Sequence, residues 1–279
     1  MLTNSKELLQ QAKASKCALP AINVFNLAGI KAAVGASKEY GCPLIISLAE
    51  VHLDALGIEE AANIIRYYAE KTNQPIVLHL DHGFDPEIVR SAIDHGFTSV
   101  MIDGSSLSFA ENVKVTKEIV AYAHAKNVTV EAEIGHVGGG ESYIDPEQDN
   151  SMLTEVQDAV NFVAQTQVDS LAVSVGTAHG AYTGIPKLDF RRLQEIAGSV
   201  AVPLVLHGGS GSGDENLGKA VSLGICKVNI FTDTLNAAQA KIDCSKNIYD
   251  NYFTTIEAIK ECICHYYDVF NTKGGDFHA

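Results

Sequence analysis

The sequence predicts an α/β protein in which eight parallel strands and the helices between them close into a (β/α)8 barrel. The chain has 279 residues, a length that one such barrel commonly fills. Short apolar runs of strand length recur eight times, and stretches with helical periodicity lie between them. A doubly wound parallel sheet would show the same alternation, and the number of strands alone does not exclude it.

Each predicted strand is an apolar run followed by a loop that contains Gly, Asp or His. The helical stretch before the sixth run has Val156, Val160 and Val163 at i, i+4 and i+7, as on one face of a helix. We expect a single domain over residues 1–279, with a helical C-terminal tail from about residue 241. In chain order the eight runs are Leu19–Phe25, Pro43–Leu48, Pro75–Leu80, Ser99–Ile102, Val128–Ile134, Ser170–Val175, Pro203–Leu206 and Cys226–Ile230.

The composition excludes several classes of protein. Hydrophobic residues make up 46% of the chain and charged residues 19%, which argues against disorder. The formal net charge of −14 disfavours binding to nucleic acid or to an anionic membrane. No secretory signal or membrane-spanning run is evident. The six cysteines form no CxxC pair and are typical of reduced thiols, so a cytoplasmic location is expected.

Polar residues recur at alternate positions of the predicted strands. We call this the parity of a strand, since residues of the same parity share one face. Because side chains alternate between the faces of a strand, this parity predicts a polar barrel interior and an active-site mouth at the carboxyl ends. Alternatively, these residues are hydrogen-bonded core groups that hold the strands in register. Lys227 is expected to form a buried ion pair with Glu131. The polar parity comprises Asn23, Ser47, His79, Asp81, Ser99, Asp103, Thr129, Glu131, Glu133, Ser174, His207, Lys227 and Asn229.

Three histidines, His82, His179 and His207, lie at or just beyond predicted strand ends. Each alone is typical of a loop residue, but three imidazoles at one rim with an open coordination position are the arrangement of a catalytic zinc site. His79 is interpreted as a residue that holds one of these rings. Asp81 would either hydrogen-bond a metal-binding histidine or exchange a proton with a substrate hydroxyl.

Two glycine-rich loops follow predicted strands. The segment His207–Gly213 precedes a helical stretch and has glycine amides suited to a phosphate group. Such loops are common, but phosphate sites in barrels often lie after strands seven and eight, where Asn229 and Thr232 also occur. The run Gly138–Glu141 follows strand five, and Glu141 is either an exposed turn residue or a group that moves over the mouth.

Several ordered motifs together are similar to class II ketose-bisphosphate aldolases, the zinc-dependent fructose- and tagatose-bisphosphate aldolases. The similarity runs in order over roughly residues 1–240. The motifs are His-Leu-Asp-His-Gly at 79–83, Met-Ile-Asp-Gly-Ser at 101–105, Val-Glu-Ala-Glu-Ile-Gly at 130–135, Gly-Thr-Ala-His-Gly at 176–180, Leu-His-Gly-Gly-Ser-Gly at 206–211 and Lys-Val-Asn-Ile at 227–230.

This resemblance implies a TIM barrel that reversibly cleaves a ketose phosphate, such as fructose- or tagatose-1,6-bisphosphate, into dihydroxyacetone phosphate and an aldehyde such as glyceraldehyde 3-phosphate. It implies that Asp81 moves the proton of the C4 hydroxyl and that Glu141 acts at the α-carbon of the ketone. It also implies a homodimer or homotetramer and a monovalent cation, Na⁺ or K⁺, near the phosphate. The implied positions are His82, His179 and His207 for Zn²⁺, Asp103 and Glu133 for a second metal position, and Gly180, Gly208, Gly209, Ser210, Asn229 and Thr232 for the substrate phosphate.

Two positions depart from the family pattern. Many members have Ser or Thr where this chain has Ala49, and Lys where it has Thr183. Two other functions stay open, the first of them because of these departures. One is a non-catalytic sugar-phosphate-binding subunit, although the retained Asp81 and Glu141 argue for activity. The other is a metal-dependent hydrolase on the same barrel, which the lack of histidine in the first predicted strand disfavours.

Overall fold

The protein is a closed barrel of eight parallel strands. The structure is a computed structural model that describes residues 2–138, 152–180, 182 and 184–277. Each strand pairs with the next in the chain, and β1 also pairs with β8, so the sheet has no edge. This closure confirms the (β/α)8 prediction and excludes the doubly wound sheet. The strands are β1 (Leu19–Asn23), β2 (Leu44–Ala49), β3 (Ile76–Gly83), β4 (Ser99–Ile102), β5 (Thr129–Ile134), β6 (Ser170–Val173), β7 (Leu204–Leu206) and β8 (Ile225–Ile230).

The helices surround the barrel and begin at recognisable sequence signals. Asp85 caps α4, with Pro86 in its first turn, and Ser108 forms a reciprocal capping box with Glu111 at the start of α5. Within the described residues, no helix is long and apolar enough to cross a membrane. The helices are α1 (Lys6–Ser15), α2 (Leu27–Tyr40), α3 (Ile58–Ala69), α4 (Pro86–Asp94), α5 (Phe109–His124), α6 (Val156–Thr166), α7 (Phe190–Ser199), α8 (Asp214–Ser222), α9 (Thr232–Lys241) and α10 (Ile248–Val269), with 3₁₀ turns at Glu50–His52 and Thr272–Gly274.

The barrel interior is layered rather than polar throughout. At the amino ends of β1, β2 and β3 the inward side chains are apolar, and helix α1 closes this end with its own apolar residues. Most polar inward residues lie further along the strands, at the carboxyl ends where the mouth was predicted, although Thr129 begins β5 and its hydroxyl bonds to that of Ser5. The cluster at the closed end comprises Leu8, Leu9, Ala12, Cys17, Leu19, Ala21, Ile45, Val77 and Cys226.

The apolar floor isolates the polar half of the barrel from solvent at one end. We expect Leu9→Ala to lower the free energy of unfolding by about 2–5 kcal/mol, since Leu9 is only 1% exposed and its loss leaves a cavity. Urea denaturation followed by circular dichroism measures this. The control is Lys6→Ala on the exposed side of the same helix, which should change stability little. Equal effects of the two substitutions would contradict the role of α1 as a packed floor.

Candidate active site

Three imidazole rings meet inside the barrel mouth. His82 lies in β3, His179 in the loop after β6 and His207 directly after β7. The Nε2 atom of His82 is 2.7 Å from Nδ1 of His207 and 3.1 Å from Nε2 of His179. The predicted convergence of the three rings is therefore present, with three nitrogen atoms placed to share one cation.

A backbone irregularity in β3 makes this convergence possible. The strand continues to Gly83, beyond the predicted end at Leu80, and its register against β4 shifts between Leu80 and Gly83. His82 adopts a left-handed backbone conformation with a φ of 45°. Neighbouring residues of a regular strand point to opposite faces, but this bulge lets both Asp81 and His82 serve the interior. Such strained conformations persist mainly where the surrounding structure enforces them.

Carboxylates orient two of the three rings. Nδ1 of His82 donates to Oδ2 of Asp103 at 2.7 Å, and Nε2 of His207 donates to Oε1 of Glu131 at 2.9 Å. Each bond fixes the ring tautomer and leaves the other nitrogen directed at the shared point, as is usual for metal-binding histidines. Holding such a ring was the role predicted for His79, but Asp103 and Glu131 have it instead.

His79 does not contact the three rings. Its Nδ1 atom bonds to the hydroxyl of Ser99 at 2.8 Å, and its Nε2 accepts from the ammonium of Lys227 at 3.2 Å. The prediction that His79 holds a metal-binding imidazole is therefore wrong. Its side chain lies one layer deeper in the barrel, where burial and the charge of Lys227 lower its pKa to about 3. The ring is neutral and acts as an acceptor.

The predicted ion pair between Lys227 and Glu131 is confirmed. The ammonium of Lys227 donates to both carboxylate oxygens of Glu131, at 2.9 and 2.8 Å. Both side chains are almost completely buried, with exposed fractions of 1% and 2%. Although burial raises the pKa of Glu131, the charge of Lys227 and the bond from His207 lower it below its usual range. Lys227 is therefore engaged with Glu131 and is not placed as a free nucleophilic amine.

Asp81 is held by two amide side chains rather than by a histidine. The Nδ2 atoms of Asn23 in β1 and Asn229 in β8 donate to its two oxygens at 2.7 and 2.8 Å. Burial raises the pKa of Asp81, but the charges of His82 and Lys227 lower it more, so the carboxyl group is ionised. This geometry does not support the alternative in which Asp81 serves to hold a metal-binding ring.

A second group of possible ligands lies beside the first. His82, Asp103 and Glu133 offer atoms that all lie within 4.8 Å of one another. Oε1 of Glu133 accepts from the amide of Val137 at 2.9 Å, whereas Oε2 is buried with no hydrogen-bond partner among the described residues. Burial and the nearby Asp103 raise the pKa of Glu133 to about 8. An unpartnered buried carboxylate oxygen fits a cation-binding position.

The electrostatics of the mouth favour a cation. Burial lowers the pKa of His82, but Asp81, Asp103 and Glu133 raise it by more, so that it reaches about 9. Burial and the neighbouring rings lower the pKa of His179 to about 3 and also lower that of His207. These two rings are therefore neutral, the form that binds metals. The carboxylates around His82 favour positive charge at this point, and a divalent cation would supply it.

The glycine-rich loop after β7 is fixed to the end of β8. The hydroxyl of Ser210 accepts from the amides of Phe231 and Asp233 at 3.1 and 3.2 Å, at the start of α9. A Cβ on Gly209 would lie 2.8 Å from the carbonyl oxygen of Asn229, and one on Gly208 would lie 2.3 Å from the carbonyl oxygen of Ala178. The loop therefore needs glycine at both positions because the neighbouring backbone approaches so closely.

The remaining predicted positions lie around the same rim or outside the described residues. Gly180 follows His179 with a φ of 108°, and Thr232 is the first residue of α9. Ala49 is buried at the end of β2, in register with Asp81. Glu141 and Thr183 lie outside the described residues.

Comparison with known proteins agrees with this site. Residues 3–275 match the family model described as fructose-bisphosphate aldolase class-II. The chain belongs to the class II fructose-bisphosphate aldolase family. It is therefore an aldolase, a carbon–carbon lyase, and its family generally depends on a metal and acts on sugar phosphates.

Solved structures share the fold over nearly the whole aldolase. The YdjI aldolase from Escherichia coli K12 is 31% identical with a TM-score of 0.88, covering 98% of each chain. A candidate fructose-1,6-bisphosphate aldolase from Coccidioides immitis is 32% identical with a TM-score of 0.87, covering 95% of each chain. The fructose-bisphosphate aldolase from Campylobacter jejuni is 21% identical with a TM-score of 0.82, covering 99% of this chain and 97% of its own, and shows the shared fold.

Two residues that sequence reasoning left without a site role support the mouth directly. Asn23 holds Asp81, and Glu131 holds His207 as well as Lys227. Asn23 was recognised only as a polar interior residue, and Glu131 was predicted as the partner of Lys227 but not of His207. Strand parity signalled that both residues face the interior, but it did not indicate these contacts with Asp81 and His207.

We expect Lys227→Met to lower the free energy of unfolding by about 3–5 kcal/mol, since it leaves the buried carboxylate of Glu131 without its cation. Chemical denaturation measures the loss. The double variant Lys227→Met/Glu131→Gln removes both charges and should recover part of it. A single variant that unfolds like the parent and loses only catalysis would show that Lys227 acts in the chemistry instead.

Proposed function

We propose that this aldolase is zinc-dependent and reversibly cleaves a ketose phosphate into dihydroxyacetone phosphate and an aldehyde. The convergence of the ring nitrogens of His82, His179 and His207 beside the ionised Asp81 supports this proposal above all. Three imidazole ligands suit zinc among the common divalent metals and leave a coordination position for substrate.

The residues of the mouth fit a divalent cation. His82, His179 and His207 would hold it, and Asp103 and Glu133 would form a second, inner position together with His82. When bound, the cation would supply a Lewis acid that offsets the negative charge developing on the substrate oxygens as the C3–C4 bond breaks. Asp103 and Glu131 would keep two of the rings in the orientation that binding needs.

The proton transfers are assigned to two carboxylates. In cleavage Asp81 takes the proton of the C4 hydroxyl, C4 becomes the carbonyl carbon of the aldehyde, and the electron pair of the broken bond stays with C3. Asn23 and Asn229 keep Asp81 ionised and oriented for this transfer. Glu141 then gives a proton to C3, and takes it back in the condensation direction.

The phosphate of dihydroxyacetone phosphate is assigned to the loops after β6, β7 and β8. Helices α8 and α9 begin there, and helix amino ends favour anions. The Oδ1 atom of Asn229 is buried without a partner among the described residues, so it is available to a substrate hydroxyl. The assigned positions are Gly180, Gly208, Gly209, Ser210, Asn229 and Thr232. Four further expectations stay predictions. They are a Na⁺ or K⁺ ion near the phosphate, a homodimer or homotetramer, a cytoplasmic location, and a single domain with a C-terminal helical tail.

Metal removal tests the proposal. We expect a chelator to abolish cleavage and added Zn²⁺ to restore it, with one tightly bound zinc per chain by elemental analysis. His207→Ala should lower this zinc content, while His95→Ala, an exposed histidine at the end of α4, should not. Undiminished turnover after complete metal removal, or unchanged zinc in His207→Ala, would contradict the assignment.

Asp81→Ala separates the two proton transfers. We expect this variant to keep its fold and zinc but to lose about 10²–10⁴-fold in kcat for cleavage, the usual contribution of a positioned acid or base. Exchange of the C3 proton of dihydroxyacetone phosphate with solvent, which needs no C4 hydroxyl, should continue. If zinc were lost together with activity, Asp81 would be a structural support of the metal site.

A further inference from the structure

The rim above β1, β2 and β3 is acidic and contains no Lys or Arg. The connections that follow these strands span residues 24–26, 50–57 and 84–85. They contain Glu50, Asp54 and Asp85 but no Lys or Arg. Oε2 of Glu50 accepts from the amides of Phe84 and Asp85, at 2.7 and 3.2 Å, which fixes one carboxylate at this edge.

The basic residues of the chain lie elsewhere. All 20 Lys and Arg residues are among the described residues. Of the connections at the carboxyl ends of the eight strands, only the one after β6 contains a basic residue, Lys187. Strand β6 lies opposite β2 in the closed barrel, and Lys227 is already bound to Glu131. Residues 139–151, outside the described residues, contain four carboxylates and no Lys or Arg.

The part of the substrate beyond C4 would lie over this acidic rim. Asp81, assigned to the C4 hydroxyl, lies in β3, in register with Ala49 of β2 and hydrogen-bonded to Asn23 of β1. The phosphate end of the substrate is assigned to the loops after β6, β7 and β8. The carbon chain therefore passes from these loops across the three imidazole rings and ends above β1–β3.

Large apolar side chains are also exposed at this rim. Val51 is 71% exposed and Phe84 is 52% exposed. The rings of Phe25 and His52 pack against Phe231, with centroids 6.2 and 4.7 Å from it. Apolar groups beside carboxylates suit an uncharged carbon chain, whereas a phosphate dianion would meet like charge without a basic partner.

We propose that the aldehyde product carries no phosphate, so that the substrate is a ketose 1-phosphate whose chain beyond C4 is uncharged. This inference rests on the proposed aldol cleavage and names its substrate class. The two ends of the mouth then select opposite chemistry. The glycine-rich loop after β7 receives the single phosphate at one end. The rim above β1–β3, which has carboxylates and exposed apolar groups but no Lys or Arg, excludes a second one at the other.

Condensation of dihydroxyacetone phosphate with a matched pair of aldehydes tests the inference. Glyceraldehyde and glyceraldehyde 3-phosphate differ only in the phosphate group. In the zinc-loaded enzyme at low ionic strength, we expect kcat/KM for glyceraldehyde to be about tenfold higher than kcat/KM for glyceraldehyde 3-phosphate. This ratio should fall towards one as salt screens the repulsion. Equal or higher kcat/KM for glyceraldehyde 3-phosphate would overturn the inference.

Exchange of the C3 proton of dihydroxyacetone phosphate in the absence of aldehyde distinguishes the two proposals. Exchange together with a preference for glyceraldehyde 3-phosphate would refute this inference and leave the proposed lyase intact. Failure of both exchange and condensation would refute the proposed function itself.

A charge added to the rim provides a second test. We expect Val51→Lys to shift the kcat/KM ratio several-fold towards glyceraldehyde 3-phosphate, because it gives the phosphate a cation at an exposed rim position. The matched control is Ala125→Lys, which adds the same charge at the opposite end of the barrel, between α5 and β5. The same shift in both variants, or no shift in Val51→Lys, would contradict the assignment of this rim to the distal end of the substrate.

Discussion

The buried carboxylate of Glu131 is the point on which the active site depends. It accepts two hydrogen bonds from Lys227 and one from His207, and it lies in a part of the barrel that water does not reach. A buried charge pair of this kind is costly unless all of its polar atoms are engaged. Here Lys227 also donates to His79, so the network joins β3, β5 and β8 to the loop that carries His207.

The fold places this network between two different surroundings. Below it, α1 and the inward apolar residues of the strands form a closed floor. Above it, the mouth contains the three imidazoles and the carboxylates of Asp81, Asp103 and Glu133 close to one another. Water is excluded from one side only, so electrostatic interactions in the mouth are strong while substrate can still enter from the rim.

The bulge in β3 brings Asp81 and His82, the proposed proton acceptor and metal ligand, together from adjacent positions in the chain. In a regular strand Asp81 and His82 would lie on opposite faces. The left-handed backbone of His82 removes this restriction, and the bond to Asp103 fixes the ring that results. The same mouth has unlike ends, with a glycine-rich loop after β7 on one side and exposed apolar groups without Lys or Arg on the other. This asymmetry fits the proposed substrate, which has one charged end.

Much of the site was predictable because it depends on local pattern. Eight apolar runs predicted eight strands, and strand parity predicted that Lys227 and Glu131 would meet in the interior. His82, His179 and His207 were recognisable because each follows or ends a strand, and strand ends in a barrel share one rim. The ordered motifs around them were similar to those of the family to which the chain belongs.

By itself, the sequence determined the barrel, the residues that face its interior and the family of the enzyme, because periodicity and motifs are properties of neighbouring positions. Apart from the pair of Lys227 and Glu131, only the tertiary structure decided which side chains pair across strands. It showed that Glu131, and not His79, holds His207, and that Asn23 and Asn229 hold Asp81. Such pairings depend on the register of distant strands and on the bulge at His82, and these are fixed only when the barrel closes.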